Sequence, residues 1–276
     1  MTSIKRAAGI TMLGVFAHPD DEQLLGGIFT RAVQQGATAY ILCATRGEKG
    51  QISDPALATT ENLGAVRAQE LRDAMAIYGW EPPILLDYVD GTLPDVDQDE
   101  LADAIVAVIR DLKPQVLVTF EETGIYGHRD HIAIHHAATT AVRNAADADH
   151  RPDLGRAHQV KKFYYVTIPF SRLQRLIEAM GDEADVGGDE RTIELAAMGT
   201  PDDQITTLVE TPELFDVWQA GTLVHRTQFG PEMIAFFERF GVDAWFGTTY
   251  LVRVHPAPLP GAPLPDEHDL LAGLTG

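Results

Sequence analysis

The stretch GVFAHPDDEQLLGG, residues 14–27, places His18, Asp20, Asp21 and Glu22 directly behind an apolar run at residues 10–17. Three adjacent carboxylates beside a hydrophobic strand repel one another and cost folding free energy unless a cation sits among them. A second cluster of the same chemistry, EETGIYGHRDH at residues 121–131, contains His128, Asp130 and His131. Imidazoles and carboxylates with one position left for water make up a catalytic zinc site. His18 and Asp21 stand three apart across a strand-to-helix turn, so both can point at one centre, and His131 can reach it from the second cluster. A divalent ion there neutralises the repulsion among Asp20, Asp21 and Glu22. With nitrogen and oxygen donors and no sulfur, Zn2+ is favoured, while Fe2+ and Mn2+ are tolerated. Glu22, in the first turn of the helix that follows, is expected to act as a cap, since the helix dipole favours an anion there.

Other readings of these residues are weaker. HPDD alone would read as a helix N-cap with a solvated histidine; the second histidine cluster favours the metal. His131 and His135 form an i, i+4 pair, but Ile132, Ala133 and Ile134 between them lack the glutamate of HExxH. His135 and His136 therefore read as packing or surface residues. No G-x-S-x-G elbow occurs. GEKGQIS, from Gly47, lacks the spacing of a phosphate loop, and the first strand runs into HPDDE instead of G-x-G-x-x-G, which argues against a dinucleotide site.

The elements that must position the two clusters follow from hydrophobic periodicity. ITMLGVFA, ATAYILCA, PILLDYV and QVLVTF read as buried strands, separated by amphipathic helices at 22–35, 61–78 and 99–112. Another helix begins near His131, and KKFYYVTIP follows as a fifth strand. The expectation is an α/β, Rossmann-like, mostly parallel sheet with helices on both faces. In such a sheet ligands bind beyond the carboxyl ends of the strands at the switch point. The loops after the first and fourth strands, which hold the two clusters, meet there. Beyond Ser171 helices are expected at 172–180, 213–226 and 231–240, with TTYLVRV as a last strand. GDEADVGGDE reads as a solvated loop in preference to a mobile lid, and PAPLPGAPLP as a strap or tail. The expectation is one domain over 1–276, with a core at 1–170 and a C-terminal elaboration at 171–276.

Composition narrows the function. The chain has 276 residues, 21 basic against 41 acidic side chains and a net charge of -20, without a basic stripe. This argues against nucleic acid, whose phosphates such a surface repels. The single cysteine, Cys43, lies in an apolar run and reads as a buried hydrophobe. Lys5 and Arg6 before AAGITMLGVFA imitate a signal peptide, but no A-x-A-like cleavage site precedes HPDDE. No run reaches the roughly 18 apolar residues that span a membrane. A cytoplasmic protein is expected, with homo-oligomerisation left open.

AHPDDE, the TRGEKG loop, the LGAVRAQEL helix and YGHRDH together resemble the PIG-L/LmbE-type zinc-dependent de-N-acetylases. That group includes N-acetylglucosaminyl-phosphatidylinositol deacetylase and the deacetylases of mycothiol and bacillithiol synthesis. The likeness covers at least residues 10–135, and VHRTQ, ending at Gln228, is similar to the family's C-terminal part. The resemblance implies that His18, Asp21 and His131 hold the metal and that Asp20 is the general base. It implies that His128 polarises the amide or protonates the leaving amine with Asp130 orienting it, and that Tyr126 assists at the oxyanion. Arg67 is implied to bind substrate, while Glu48 and Asp90 sit where sugar hydroxyls would be held. Arg129 stands where many members have proline, which alters loop stiffness and removes no ligand. The activity implied is removal of an acetyl group from an N-acetylglucosamine-containing small molecule by metal-activated water. The alternatives are a non-catalytic sugar- or nucleotide-binding module on the same fold and an amidase acting on thiol-conjugate metabolites.

Overall fold

A parallel strand buried on both faces needs a continuous apolar run instead of a polar alternation. Thr11–Phe16 (β1), Thr38–Thr45 (β2) and Val116–Phe120 (β4) are such runs and are almost wholly buried. With Ile84–Tyr88 (β3), Lys162–Thr167 (β5), Thr207–Glu210 (β6) and Thr248–His255 (β7) they form one seven-stranded sheet, in the order β3-β2-β1-β4-β5-β7-β6. The first five strands are mutually parallel; β7 runs antiparallel to β5, and β6 antiparallel to β7. The computed structural model describes residues 9–180, 199–231, 247–261 and 263–275, with isolated positions 235 and 239. Lys5, Arg6, the GDEADVGGDE stretch and most of the helix expected at 231–240 lie outside those residues.

The helices are Gly26–Gln34 (α1), Leu63–Tyr78 (α2), Gln98–Leu112 (α3), the single turn Gly124–Gly127 (α4), Arg129–Ala146 (α5), Phe170–Met180 (α6) and Phe215–Thr222 (α7). α1 and α2 pack with α7, and α3 packs with α5. Right-handed crossovers put the two groups on opposite faces of the sheet. Because β1 pairs directly with β4, the loops that follow them open into one crevice. None of the described helices is long and apolar enough to cross a membrane.

Local chemistry sets the ends of these elements. Asp97 caps α3 by accepting the backbone N–H groups of Asp99 and Glu100, and the helix ends at Lys113, φ 52°, ahead of Pro114. On α3, the buried Arg110 donates to the carbonyls of Asn144, Ala145 and Asp147 at the end of α5. A fixed guanidinium there satisfies carbonyls that a helix C-terminus leaves open and ties α5 to α3.

Two expectations need correction, and one strand was not foreseen. The helix expected from Glu22 begins as a 3-10 turn, Asp21–Leu25, before α1. The tighter turn brings the Asp21 carboxylate onto the His18 N–H at 2.8 Å and the Glu22 carboxylate onto the Asp20 N–H at 2.8 Å. The helix expected at 213–226 is a 3-10 turn, Pro212–Leu214, then α7, and ends at Thr222 so that the next residues turn inward. Finally, β6 has no signature of its own, since a four-residue edge strand is too short to show a period.

The proline-rich segment behaves as a strap. Residues 256–261 run over the surface, and the chain then returns to pair Glu267 with Thr207 on β6. The buried Glu267 carboxylate accepts from Lys162 Nζ at 2.6 Å, Tyr164 Oη at 2.7 Å and Thr207 Oγ1 at 2.9 Å. Burial alone would raise its pKa, but these donors outweigh burial and lower it. A carboxyl whose folded pKa lies below its unfolded value of about 4.3 contributes stability above that value. The contribution is lost as pH falls through the folded pKa. Glu267→Gln leaves Lys162 without its anion and should cost about 3 kcal/mol at neutral pH. It should also flatten the acid limb of stability in urea titrations; wild-type stability in this variant would show that the strap does not hold the sheet edge.

Candidate metal centre

The site grows out of the carboxyl ends of β1 and β4. The chain leaves β1 through Ala17, whose carbonyl accepts from the backbone and hydroxyl of Thr45 on β2. The His18 carbonyl is held in turn by the thiol of the buried Cys43, so Cys43 has the packing role expected of it. Burial, and the carboxylates of Glu22, Asp21 and Asp20, raise the pKa of that thiol. On the other side, α4 and its flanks bring His131 in. Gly124 has φ 67°, and a Cβ there would meet the Cβ of His131 at 2.7 Å. Both the backbone sign and the space therefore require glycine. The next residue, Ile125, holds φ 68°, a strained value for a β-branched side chain. The loop is fixed by Glu121, whose carboxylate accepts from the Thr123 N–H and hydroxyl and from the Ile125 N–H.

Three residues converge, with Asp21 facing the two imidazoles through different oxygens. His18 Nδ1 lies 3.2 Å from His131 Nε2, His131 Nε2 lies 3.3 Å from Asp21 Oδ1, and His18 Nδ1 lies 3.7 Å from Asp21 Oδ2. Tetrahedral coordination with bonds of about 2.0–2.2 Å spaces its donors about 3.3 Å apart. The His18–His131 and His131–Asp21 spacings and the nitrogen and oxygen donor types suit a small divalent ion. Each imidazole is also fixed through its other nitrogen: His131 Nδ1 bonds the Gly124 carbonyl at 3.1 Å, while His18 Nε2 faces Asp90 Oδ1 at 3.0 Å and Asp130 Oδ2 at 3.2 Å. Such outer partners set which nitrogen is bare toward a metal. Phe120 stacks flat on His131, with ring centroids 4.0 Å apart.

Two other groupings lie close by, His18 with His128 and His131, and His18 with Asp90 and Asp130. His128 Nδ1 already accepts the Asp130 N–H as the N-cap of α5. The oxygens of Asp90 and Asp130 accept the N–H groups of Lys49, Gly91 and Leu93 as well as facing His18. Those carboxylates serve His18 as hydrogen-bond partners.

The electrostatics agree with a site built for positive charge. Burial would lower the pKa of His18, but hydrogen bonds to Asp130 and Asp90 and the Asp21 charge raise it to about 10. Here the imidazolium supplies the positive charge that an ion would otherwise bring, so binding must release its proton. Burial would raise Asp21, yet His131 and His18 hold it well below the usual carboxylate range. Asp20 is pushed up to about 6, chiefly by burial and despite Arg67. His128 is brought down to about 4, by burial and then by the neighbouring His131 and His18.

All ten residues singled out in the sequence lie in or beside this crevice, but several have other partners than expected. The Asp130 carboxylate turns to His18; only its backbone N–H reaches His128. Asp90, expected at a sugar hydroxyl, has one oxygen on the Lys49 N–H and the other on His18. Arg67 is buried, with Nη1 on the Gly47 carbonyl at 2.8 Å and Nη2 on the Pro19 carbonyl at 2.6 Å and Asp20 Oδ2 at 3.1 Å. Its Nε and Glu48 Oε2 are buried with no protein partner. Tyr126 stays 45% exposed at the rim, its ring 5.2 Å from that of His131 and 5.9 Å from that of His128. His135 packs as expected, Nδ1 on the Phe120 carbonyl and ring against Tyr165. Sequence reasoning did not foresee His225, which meets Glu22 at 2.7 Å, nor Glu70, which holds Thr227; VHRTQ marked the segment but not its partners.

Comparison with known proteins gives a consistent picture. The PIG-L family, described as GlcNAc-PI de-N-acetylase, matches residues 13–142. A Geodermatophilus obscurus protein named 1D-myo-inositol 2-acetamido-2-deoxy-alpha-D-glucopyranoside deacetylase is 35% identical, over 96% of this chain and 98% of its own. A Rhodococcus jostii protein of the same name is 34% identical over 79% and 81%. Among solved structures, N,N'-diacetylchitobiose deacetylase from Pyrococcus horikoshii superposes with a TM-score of 0.67 at 16% identity. That match covers 91% of this chain and 87% of the other, and it supports the fold.

Metal content tests the ligand set directly. Protein purified without chelator should contain one divalent transition metal per chain, and Asp21→Ala and His131→Ala should lose it. Asp130→Ala keeps all three ligands and should weaken metal affinity roughly 10- to 100-fold, measured by competition with a chelator. Full metal content in Asp21→Ala would remove that carboxylate from the ligand set.

Proposed function

The chain belongs to the PIG-L family of de-N-acetylases, and from that premise we propose that it hydrolyses the acetamide of an N-acetylglucosaminide, releasing acetate and a free amino sugar. The observation that carries this reading is the cluster of His18 Nδ1, Asp21 and His131 Nε2, with the carboxylate of Asp20, the next residue in the chain, left outside it on Arg67. Zn2+ suits the donor set best, with Fe2+ or Mn2+ as substitutes. Bound by those three residues, the ion supplies Lewis acidity toward the acetamide carbonyl and acidifies water.

The chain's own residues do the rest. Asp20 takes the proton of the attacking water, and a carboxylate with a pKa near 6 is poised for that exchange. His128 Nδ1 accepts the Asp130 N–H, so the neutral imidazole carries its proton on Nε2 and can donate it to the developing oxyanion. Tyr126, whose phenol stays protonated because burial and the nearby Asp21 and Asp20 raise its pKa, is a second donor at the rim. The C–N bond breaks as the proton taken by Asp20 passes to the amine. For the sugar, Glu48 and Arg67 are the candidate contacts, and Asp90 acts through His18.

Acetate release from a panel of N-acetylglucosaminides is the direct test, with the inositol glycoside named for the Geodermatophilus relative first. Asp20→Ala should keep its metal and lose turnover by roughly 10²- to 10⁴-fold. Near wild-type turnover in that variant would rule Asp20 out as the base, and no acetate from any acetylated amino sugar would sink the reading as a whole.

A further inference from the structure

Asp20 sits in a conformation that its own residue type does not favour. Its φ is 99°, in the left-handed region that a residue other than glycine avoids, at a cost of order 1–3 kcal/mol unless its surroundings enforce it. Two contacts act on it. Its backbone N–H donates to Glu22 Oε2 at 2.8 Å, and its side-chain Oδ2 accepts from Arg67 Nη2 at 3.1 Å. Arg67 is also held by the carbonyls of Pro19 and Gly47, whereas Glu22 is held from far along the chain. Glu22 is completely buried, and its other oxygen, Oε1, accepts from Nε2 of the equally buried His225 at 2.7 Å. Two residues beyond His225, the Thr227 N–H and hydroxyl both donate to the carboxylate of Glu70, at 2.9 and 2.6 Å. Glu70 stands one turn along α2 from Arg67.

These contacts close a ring: Asp20 to Glu22, to His225, through the turn to Thr227, to Glu70, along α2 to Arg67 and back to Asp20. We infer that His225 is a positioning residue for the reaction, holding through Glu22 the strained turn that aims Asp20. The inference rests on the deacetylase reading and on Asp20 as its base. What His225 supplies is one N–H to a buried carboxylate that would otherwise be left without a partner on that side. Glu22, so fixed, pins the Asp20 N–H. A rigid helix, α2, anchors both ends of the ring, so the geometry of the base depends on a residue more than 200 positions away in the chain.

Three variants and two readouts decide the matter. His225→Ala should retain its metal and its KM within about twofold while kcat falls on the order of 10²-fold, the effect of misplacing a catalytic group by about 1 Å. His225→Gln, which keeps an N–H donor at similar reach, should recover most of kcat. Thr227→Val removes the hydroxyl bond to Glu70 and the one that the hydroxyl accepts from Gln228 Nε2, and keeps the backbone bond to Glu70; it should fold even if His225→Ala does not, and should lower kcat by a smaller factor with KM unchanged. The second readout needs no activity: in a crystal structure of His225→Ala or, failing that, of Thr227→Val, Asp20 should have left φ near 99° or show more than one conformation. Wild-type kcat in a folded His225→Ala, loss of metal from it, a rise in KM alone, no recovery in His225→Gln, or an unmoved Asp20 would each overturn the inference. Absence of acetate release from the wild type would instead overturn the deacetylase reading, and the conformation of Asp20 would still test the ring.

Discussion

The imidazole of His18 is gripped from both of its nitrogens, and the rest of the crevice is arranged around that grip. Nε2 faces Asp90 and Asp130, while Nδ1 looks toward Asp21 and His131. Four groups from three segments of chain thus meet on one ring at the head of β1. A site so rich in carboxylate is unfavourable without a cation, since each anion is largely removed from water and close to the next. In the protein alone the charge is balanced by protonated imidazole, which is why the pKa of His18 stands so high. A divalent ion held there would replace that proton with more charge.

That requirement explains where rigidity and strain occur. Asp130 must present its carboxylate to His18 while its backbone caps α5, and Gly91 and Leu93 hold the carboxylate in place through their N–H groups. His131 must come close to the Gly124 backbone, which only a residue lacking Cβ permits. The neighbouring Ile125 then takes a strained conformation, and Glu121 satisfies the N–H groups that the tight loop would leave open. Asp20 is strained on the opposite wall. Strain of this kind persists only where surrounding contacts over-determine the backbone; here those contacts are buried carboxylates with two or three donors each.

The C-terminal half has a structural and a functional share. It extends the sheet with β7 and β6, closes the edge through Glu267, and returns His225 and Thr227 to α2 and the 3-10 turn behind β1. The part of the chain with the loosest sequence pattern thus contributes contacts to the most tightly specified part.

Much of this was open to reading from the sequence. Buried parallel strands announce themselves as unbroken apolar runs, and the alternation of β and α patterns leaves few topologies. The crevice follows from that topology, and HPDDE and GHRDH, lying at two strand ends that must be neighbours, mark its cluster of imidazoles and carboxylates by residue type and spacing. What only the tertiary structure decided is which polar groups pair. Asp130 was expected beside its sequence neighbour His128, yet its carboxylate lies on His18; Asp90 is on the same ring, and Arg67 on Asp20. The Glu22–His225 bond spans 203 positions, and β6 is a strand only because β7 and Glu267 lie on either side of it. Periodicity records which face of an element is buried, because burial acts on every residue of that face. A hydrogen bond between two distant side chains leaves no such repeated imprint, and its partner is chosen by the packing that brings the two segments together.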